Sequence, residues 1–370
     1  MKEINFKVAI RLKATLILAN GMVFQGESIG SGSDRVVELA LNTSMVGYQE
    51  ILTDPANAGL GVVMSYPLVG NYGVNSIDNE SRAAWAGAFV VRHLSPRGSN
   101  FRCEGTLDAY LKEHDIVGIQ GVDTRAITRI LRNQGTMNGM ITCAEHFNVN
   151  EVMEKLNSYK VEGQVERVTR TETEVIAAEG EQKFRVAVLD LGVKNSMLSI
   201  LAGRGCEVTV YPASTPAQTI LDGKFDGVVL SDGPGDPVDN TGIIAEVAKL
   251  YAAEVPVMAS GLGHQILALA AGCKTAKMKF GHNGTNQPVR DVALNRCFIS
   301  GQNHGYVVEA DSVDPAVAKI SHVNVNDGTV EGLVYARPNC FSVQFNPAAD
   351  LGAEHEYLYN RFISNMGGDR

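Results

Sequence analysis

The stretch VPVMASGLGHQILALAAG, residues 255–272, reads as a buried strand, a tight glycine turn and an amphipathic helix. That order is the layout of a nucleophile elbow, in which a strained strand-to-helix turn lifts a Cys or Ser beside amides that stabilise an oxyanion. The middle position here is Gly261, so the turn presents no side chain.

Working outward, short apolar runs recur from Phe184 onward: RVAVLDL, EVTVYP, DGVVLSDG and VPVMAS, then GLVYA and FSVQF. They read as parallel strands buried on both faces. Helical segments separate the first four. KNSMLSILAGRG carries Met197, Leu198 and Leu201 at helical spacing and closes on Gly203 and Gly205, and IIAEVAKLYAAE repeats Ile244, Val247 and Tyr251 on one face. Alternation of strand and helix predicts an α/β sheet whose functional loops gather at the carboxyl ends of the strands. SDGPGDP and ASGLGHQ fall there.

The first part of the chain differs. It has many glycine turns, short strands such as ATLILANG and GAFVVRHL, and a helix in DTRAITRILRNQG with Ile127, Ile130 and Leu131 as its apolar stripe and Asp123 as N-cap. This predicts an α+β domain over residues 1–147. A polar, charged segment, EGQVERVTRTETEVIAAEGEQK, predicts an exposed connector over 148–183, with an α/β domain over 184–370.

At 370 residues with 45% hydrophobic content, the chain is long enough for about two or three domains. A net charge of −9 with no Lys/Arg-rich run argues against nucleic acid and anionic membranes. The opening MKEINFKVAIRLKA lacks the apolar stretch of a signal peptide and the length of a membrane span, so a cytoplasmic protein is expected. The cysteines (Cys103, Cys143, Cys206, Cys273, Cys297, Cys340) lack C-x-x-C spacing, and no H-E-x-x-H occurs. Neither a disulfide framework nor a metal site is expected.

Several long stretches resemble the small, glutaminase subunit of carbamoyl-phosphate synthetase over nearly the whole chain. LNTSMVGYQEILTDPANAGLGVVMSYPLVGNYGVN and GVDTRAITRILRNQGTMNGMI are similar to that family's N-terminal domain. LSDGPGDP, LGHQILALAAG, KMKFGHNGTNQP and GQNHGYVV resemble its class I glutamine amidotransferase domain. The resemblance implies a Cys-His-Glu triad that releases ammonia from glutamine, with two backbone amides holding the oxyanion.

Every triad position departs from that pattern. Gly261 stands for the cysteine, Asn346 for the histidine and Ala348 for the glutamate. Glycine has no nucleophile, asparagine no basic nitrogen, and alanine cannot orient a base. Losing one triad group alone costs on the order of a million-fold in a well-studied protease, and further losses do not add. Ala259 and Ser260 also depart from the family's usual residues, which reads as divergence rather than a single inactivating change. As replacements, Ser260 is expected to point away from the elbow apex, His264 and His304 read as structural, and His282 and Cys273 are too weakly placed to carry an argument.

The positions that the resemblance assigns to glutamine binding are better kept: Ser44, Gly233, Gly235, Leu262, Gln265, Asn303, Gly305 and Tyr306. Tyr306 replaces the usual phenylalanine, and Asp232 replaces an asparagine and is expected at the pocket rim. Retention of glycines for backbone geometry alone is the competing explanation. No phosphate-binding loop is present, so no cofactor is expected on this chain. The resemblance implies that ATP and its metal belong to a large subunit, the expected partner. The reading is a small subunit that does not hydrolyse glutamine but supports carbamoyl phosphate synthesis from ammonia. A sensor of glutamine or a related amino acid without turnover is the first alternative, and a glutaminase with a relocated nucleophile the second.

Overall fold

The computed structural model describes residues 12–348 and 356–367. Most of the opening stretch read for a signal peptide, residues 1–11, lies outside them. Among the described residues, no helix is long and apolar enough to cross a membrane.

In the N-terminal half, seven strands close into a barrel in the order Lys13–Leu18, Val23–Gly30, Val117–Gln120, Ala88–Val90, Leu60–Met64, Arg35–Asn42, Met137–Thr142. Closure leaves no unpaired sheet edge. The helix Thr124–Gln134 packs Ile127 and Leu131 into the barrel core beside Leu39, Val63 and Val117, and the Asp123 side chain accepts from the Ala126 N–H at its start. Both features match the sequence reading.

The C-terminal half is built on a ten-stranded mixed sheet. Cys206–Pro212, Phe184–Asp190, Gly227–Leu230, Val257–Ser260 and Cys340–Val343 run parallel, in that order. Their alternating residues bury on opposite faces: Ala187 and Leu189 pack with helices Thr241–Ala252 and Leu262–Ala270, Val186 and Val188 with Asn195–Gly203 and Glu356–Asn365. The run GLVYA is a correction. Its strand, Val330–Tyr335, pairs antiparallel with both neighbours, and Ala318–Asn324, Thr275–Asp291 and Arg296–Val308 continue the sheet antiparallel. Burial on both faces produces the same apolar run whichever way a strand points.

The expected exposed connector is also structured. Helix Val149–Ser158 lays Val152 and Leu156 against Ile17 and Met140 of the barrel. Helix Gln164–Val168 buries Val165 in the C-terminal core, and Glu174–Ile176 adds an antiparallel edge strand to Cys206–Pro212. A few well-spaced valines and leucines suffice to dock short elements that look polar in bulk composition.

Candidate functional site

The elbow forms as its sequence predicts. Strand Val257–Ser260 ends, Gly261 takes φ 53° and ψ −118°, and helix Leu262–Ala270 starts at once. The Leu262 N–H is thus one of the first-turn donors that no helical carbonyl reaches. From the neighbouring strand Gly227–Leu230, the loop delivers Gly233, whose backbone passes so near Leu191 that a Cβ would lie 2.2 Å from its carbonyl oxygen. Only glycine fits there. The amides of Gly233 and Leu262 therefore converge on one point.

That point is occupied by the carboxylate of Asp232. Its Oδ1 accepts from the Gly233 N–H at 2.8 Å and the Leu262 N–H at 3.2 Å. A Cβ built on Gly261 would stand 1.8 Å from the same oxygen. The expectation that Asp232 sits at a pocket rim is corrected: its side chain is 13% exposed and turned into the elbow, because two amides and a helix N-terminus attract an anion.

The second Asp232 oxygen lies 3.4 Å from Lys194 Nζ, which is 2.9 Å from Asp54 Oδ2; Asn303 Nδ2 donates to that same Asp54 oxygen at 3.0 Å. Burial alone would pull the Lys194 pKa down, but Asp54, and then Asp232, outweigh it and hold it above the ordinary value. Burial pushes the Asp232 carboxyl up, against the pull of Lys194 and the two amides. One ammonium thus serves two buried carboxylates, one from each half of the chain.

The remaining triad positions lie on the other side of this chain of contacts. The Asn346 N–H donates to the Gly301 carbonyl at 2.9 Å, and its side-chain oxygen accepts from the Ala348 N–H at 2.9 Å, so the side chain closes its own turn. Asn346 and Ala348 line an open cleft between the two halves, together with Ser44, Asp54 and Lys194. The other carried-over binding positions, Gly233, Gly235, Leu262, Gln265, Asn303, Gly305 and Tyr306, line a separate, small cavity. Ser44 is not brought to that cavity; Asn303 lines both. The contacts running from Asn303 through Asp54 and Lys194 to Asp232 partition the two spaces.

Within the cavity, Gln265 spends both hydrogens of its amide on the protein, donating to the Tyr306 carbonyl at 2.7 Å and to Gln344 Oε1 at 2.8 Å. Burial raises the Tyr306 phenol, and the nearby Asp236 carboxylate adds to the shift. The groups weighed as replacements are closed off. Ser260 is 1% exposed and its Oγ has no partner, while the fully buried His264 holds Ser342 Oγ at 2.7 Å. Burial pushes the His264 pKa down to about 3, with His322 adding to the shift.

Two family models match this chain: carbamoyl-phosphate synthase small chain, CPSase domain, over residues 16–141, and glutamine amidotransferase class-I over residues 187–365. The carbamoyl phosphate synthase small chain of Clostridium perfringens (strain 13 / Type A) is 43% identical over 353 residues, covering 95% of this chain and 99% of that one. That of Syntrophotalea carbinolica is 42% identical over 374 residues, covering 97% and 99%. The chain belongs to the carbamoyl phosphate synthase small chain family. This small-chain family member forms the elbow and converging amides that the resemblance led one to expect, and fills them with its own carboxylate. Sequence reasoning missed Lys194 and Asp54. A legible signal did exist: a glycine at position 261 together with an acid at position 232, where the resemblance implies a cysteine and an asparagine.

Proposed function

We propose that this chain is the small subunit of a carbamoyl phosphate synthase and does not hydrolyse glutamine itself. Its role is to support a large subunit that carries the ATP chemistry and uses free ammonia. The observation that carries this reading is the Asp232 carboxylate, which stands where a nucleophile's Cβ would start and accepts both amides that an oxyanion would need. A tetrahedral intermediate has neither an attacking atom nor a place for its charge. The names of the relatives support the large-subunit partner, and a cytoplasmic location fits the same reading. Carbamoyl phosphate formation by this chain with its large subunit, comparing glutamine with ammonium as donor, tests it. Ammonium alone is expected to work, and turnover with glutamine would overturn the proposal.

A second reading, a glutamine sensor without turnover, is favoured by one observation: seven of the carried-over binding positions still line a single cavity. Calorimetric titration with glutamine separates the two. Saturable binding supports a sensor, and its absence leaves a scaffold.

A further inference from the structure

Behind the cavity wall lies a buried cluster that neither reading uses. His282 and His304 are register partners on strands Thr275–Asp291 and Arg296–Val308, and Glu331 reaches them from Val330–Tyr335. A ligand-capable atom of each lies within 4.8 Å of the others. Sequence spacing could not reveal the group, because the curl of the sheet brings separate strands together.

The hydrogen bonds aim lone pairs into the cluster. His304 Nδ1 is 2.8 Å from the Tyr306 carbonyl, which only accepts, so Nδ1 carries the hydrogen. With its hydrogen on Nδ1, the neutral ring presents a bare Nε2 to Gln302 Oε1 at 2.9 Å. In the orientation seen, Gln302 Nε2 donates to Ser300 Oγ, whose own hydrogen goes to the Gln287 carbonyl. Two acceptors thus face each other. His282 Nε2 is held by Asp327 at 2.9 Å, leaving Nδ1 directed at Glu331 Oε1, 3.4 Å away. Asn324 Nδ2 lies 3.3 Å from that same Glu331 oxygen and 3.4 Å from His282 Nδ1. Glu331 is fully buried, and its Oε2 has no hydrogen-bond partner among the described residues.

Imidazoles whose far nitrogen donates to a carboxylate or a backbone carbonyl are characteristic of metal ligation, because that bond fixes the tautomer and ring direction. Two nitrogens and a carboxylate oxygen suit zinc and similar ions. We propose that His282 Nδ1, His304 Nε2 and the Glu331 carboxylate form a site for a divalent transition-metal cation of the zinc class, with Gln302 Oε1 as a further donor. The cation ties three strands together and holds the segment bearing Asn303, Gly305 and Tyr306 against the cavity. A proton is its competitor: burial opposes a charged His282, but Asp327 and Glu331 outweigh it and push its pKa up to about 9.

The test uses the full chain, stripped with chelator, loaded with zinc and desalted, with cobalt(II) as a spectroscopic probe. About one equivalent of zinc should be retained, with a visible cobalt band and a melting temperature raised by about 5 °C. Glu331→Gln and His304→Ala should abolish the band. Asp327→Asn, which keeps every ligand and its volume, should weaken binding at least about tenfold. Retention below about a tenth of an equivalent with no cobalt band would overturn the proposal and leave protons as the occupants. Stoichiometric binding untouched by all three variants would also overturn it, by placing the metal elsewhere.

Discussion

A Cβ at position 261 would lie 1.8 Å from Asp232 Oδ1, so Gly261→Cys sets a side chain against a carboxylate that Lys194 and two amides hold in the elbow. Overpacking of this kind costs about 1–3 kcal/mol. The variant should unfold at lower urea concentration and release no ammonia from glutamine, because Asn346 supplies no base. Adding Asn346→His and Ala348→Glu rebuilds the triad on paper but leaves Asp232 on the oxyanion amides. That triple variant should resist labelling by diazo-oxo-norleucine, whereas a quadruple variant with Asp232→Asn should be labelled at position 261. Labelling of the triple variant would show that Asp232 is no obstacle. The sequence displayed the three missing groups because motif spacing locates them. It did not display where Asp232 points, since that direction is set not only by the adjacent Gly233 amide but by Lys194 and the Leu262 amide, which other segments supply.

Among the elements, those whose start and face are written in local chemistry were the legible ones. Helix Thr124–Gln134 has its cap in Asp123, whose Oδ1 accepts from the Ala126 N–H at 2.9 Å, and its buried stripe in Ile127 and Leu131. Asp123→Ala should therefore cost about 1 kcal/mol in urea denaturation, the usual loss for an N-cap, and leave the C-terminal site undisturbed. No measurable change would mean that tertiary packing alone sets the start of this helix. Helix Leu262–Ala270 is the opposite case. Gly261 offers no side-chain cap, and Asp232 reaches the Leu262 amide from the loop after a separate strand. Strand direction was likewise illegible: Val330–Tyr335 and Cys340–Val343 are both buried, yet only the second runs parallel to Val257–Ser260.

Across the whole molecule, the altered site joins the two halves. Lys194 links Asp54 of the N-terminal half to Asp232 of the C-terminal half, and nearby Ser196 Oγ donates to Glu80 Oε2 at 2.7 Å. Replacing Lys194 with methionine keeps most of the buried stem but strands two carboxylates without their cation, a loss of about 3–5 kcal/mol. The pH dependence separates charge from packing. The Lys194 pKa is held above its ordinary 10.5, so its contribution is fully present below that value and is lost as pH rises through the higher, folded-state value. The Asp232 pKa is raised from its ordinary 3.8, and more so without the lysine; a raised carboxyl favours folding below its unfolded value and ceases to as pH climbs through the folded one. The gap in melting temperature between wild type and Lys194→Met, followed from about pH 4 to about pH 11, should be smallest in acid, widest near neutrality and narrower again above about 10.5. A gap that stays constant would mean that Lys194 joins the halves through its methylenes, not its charge.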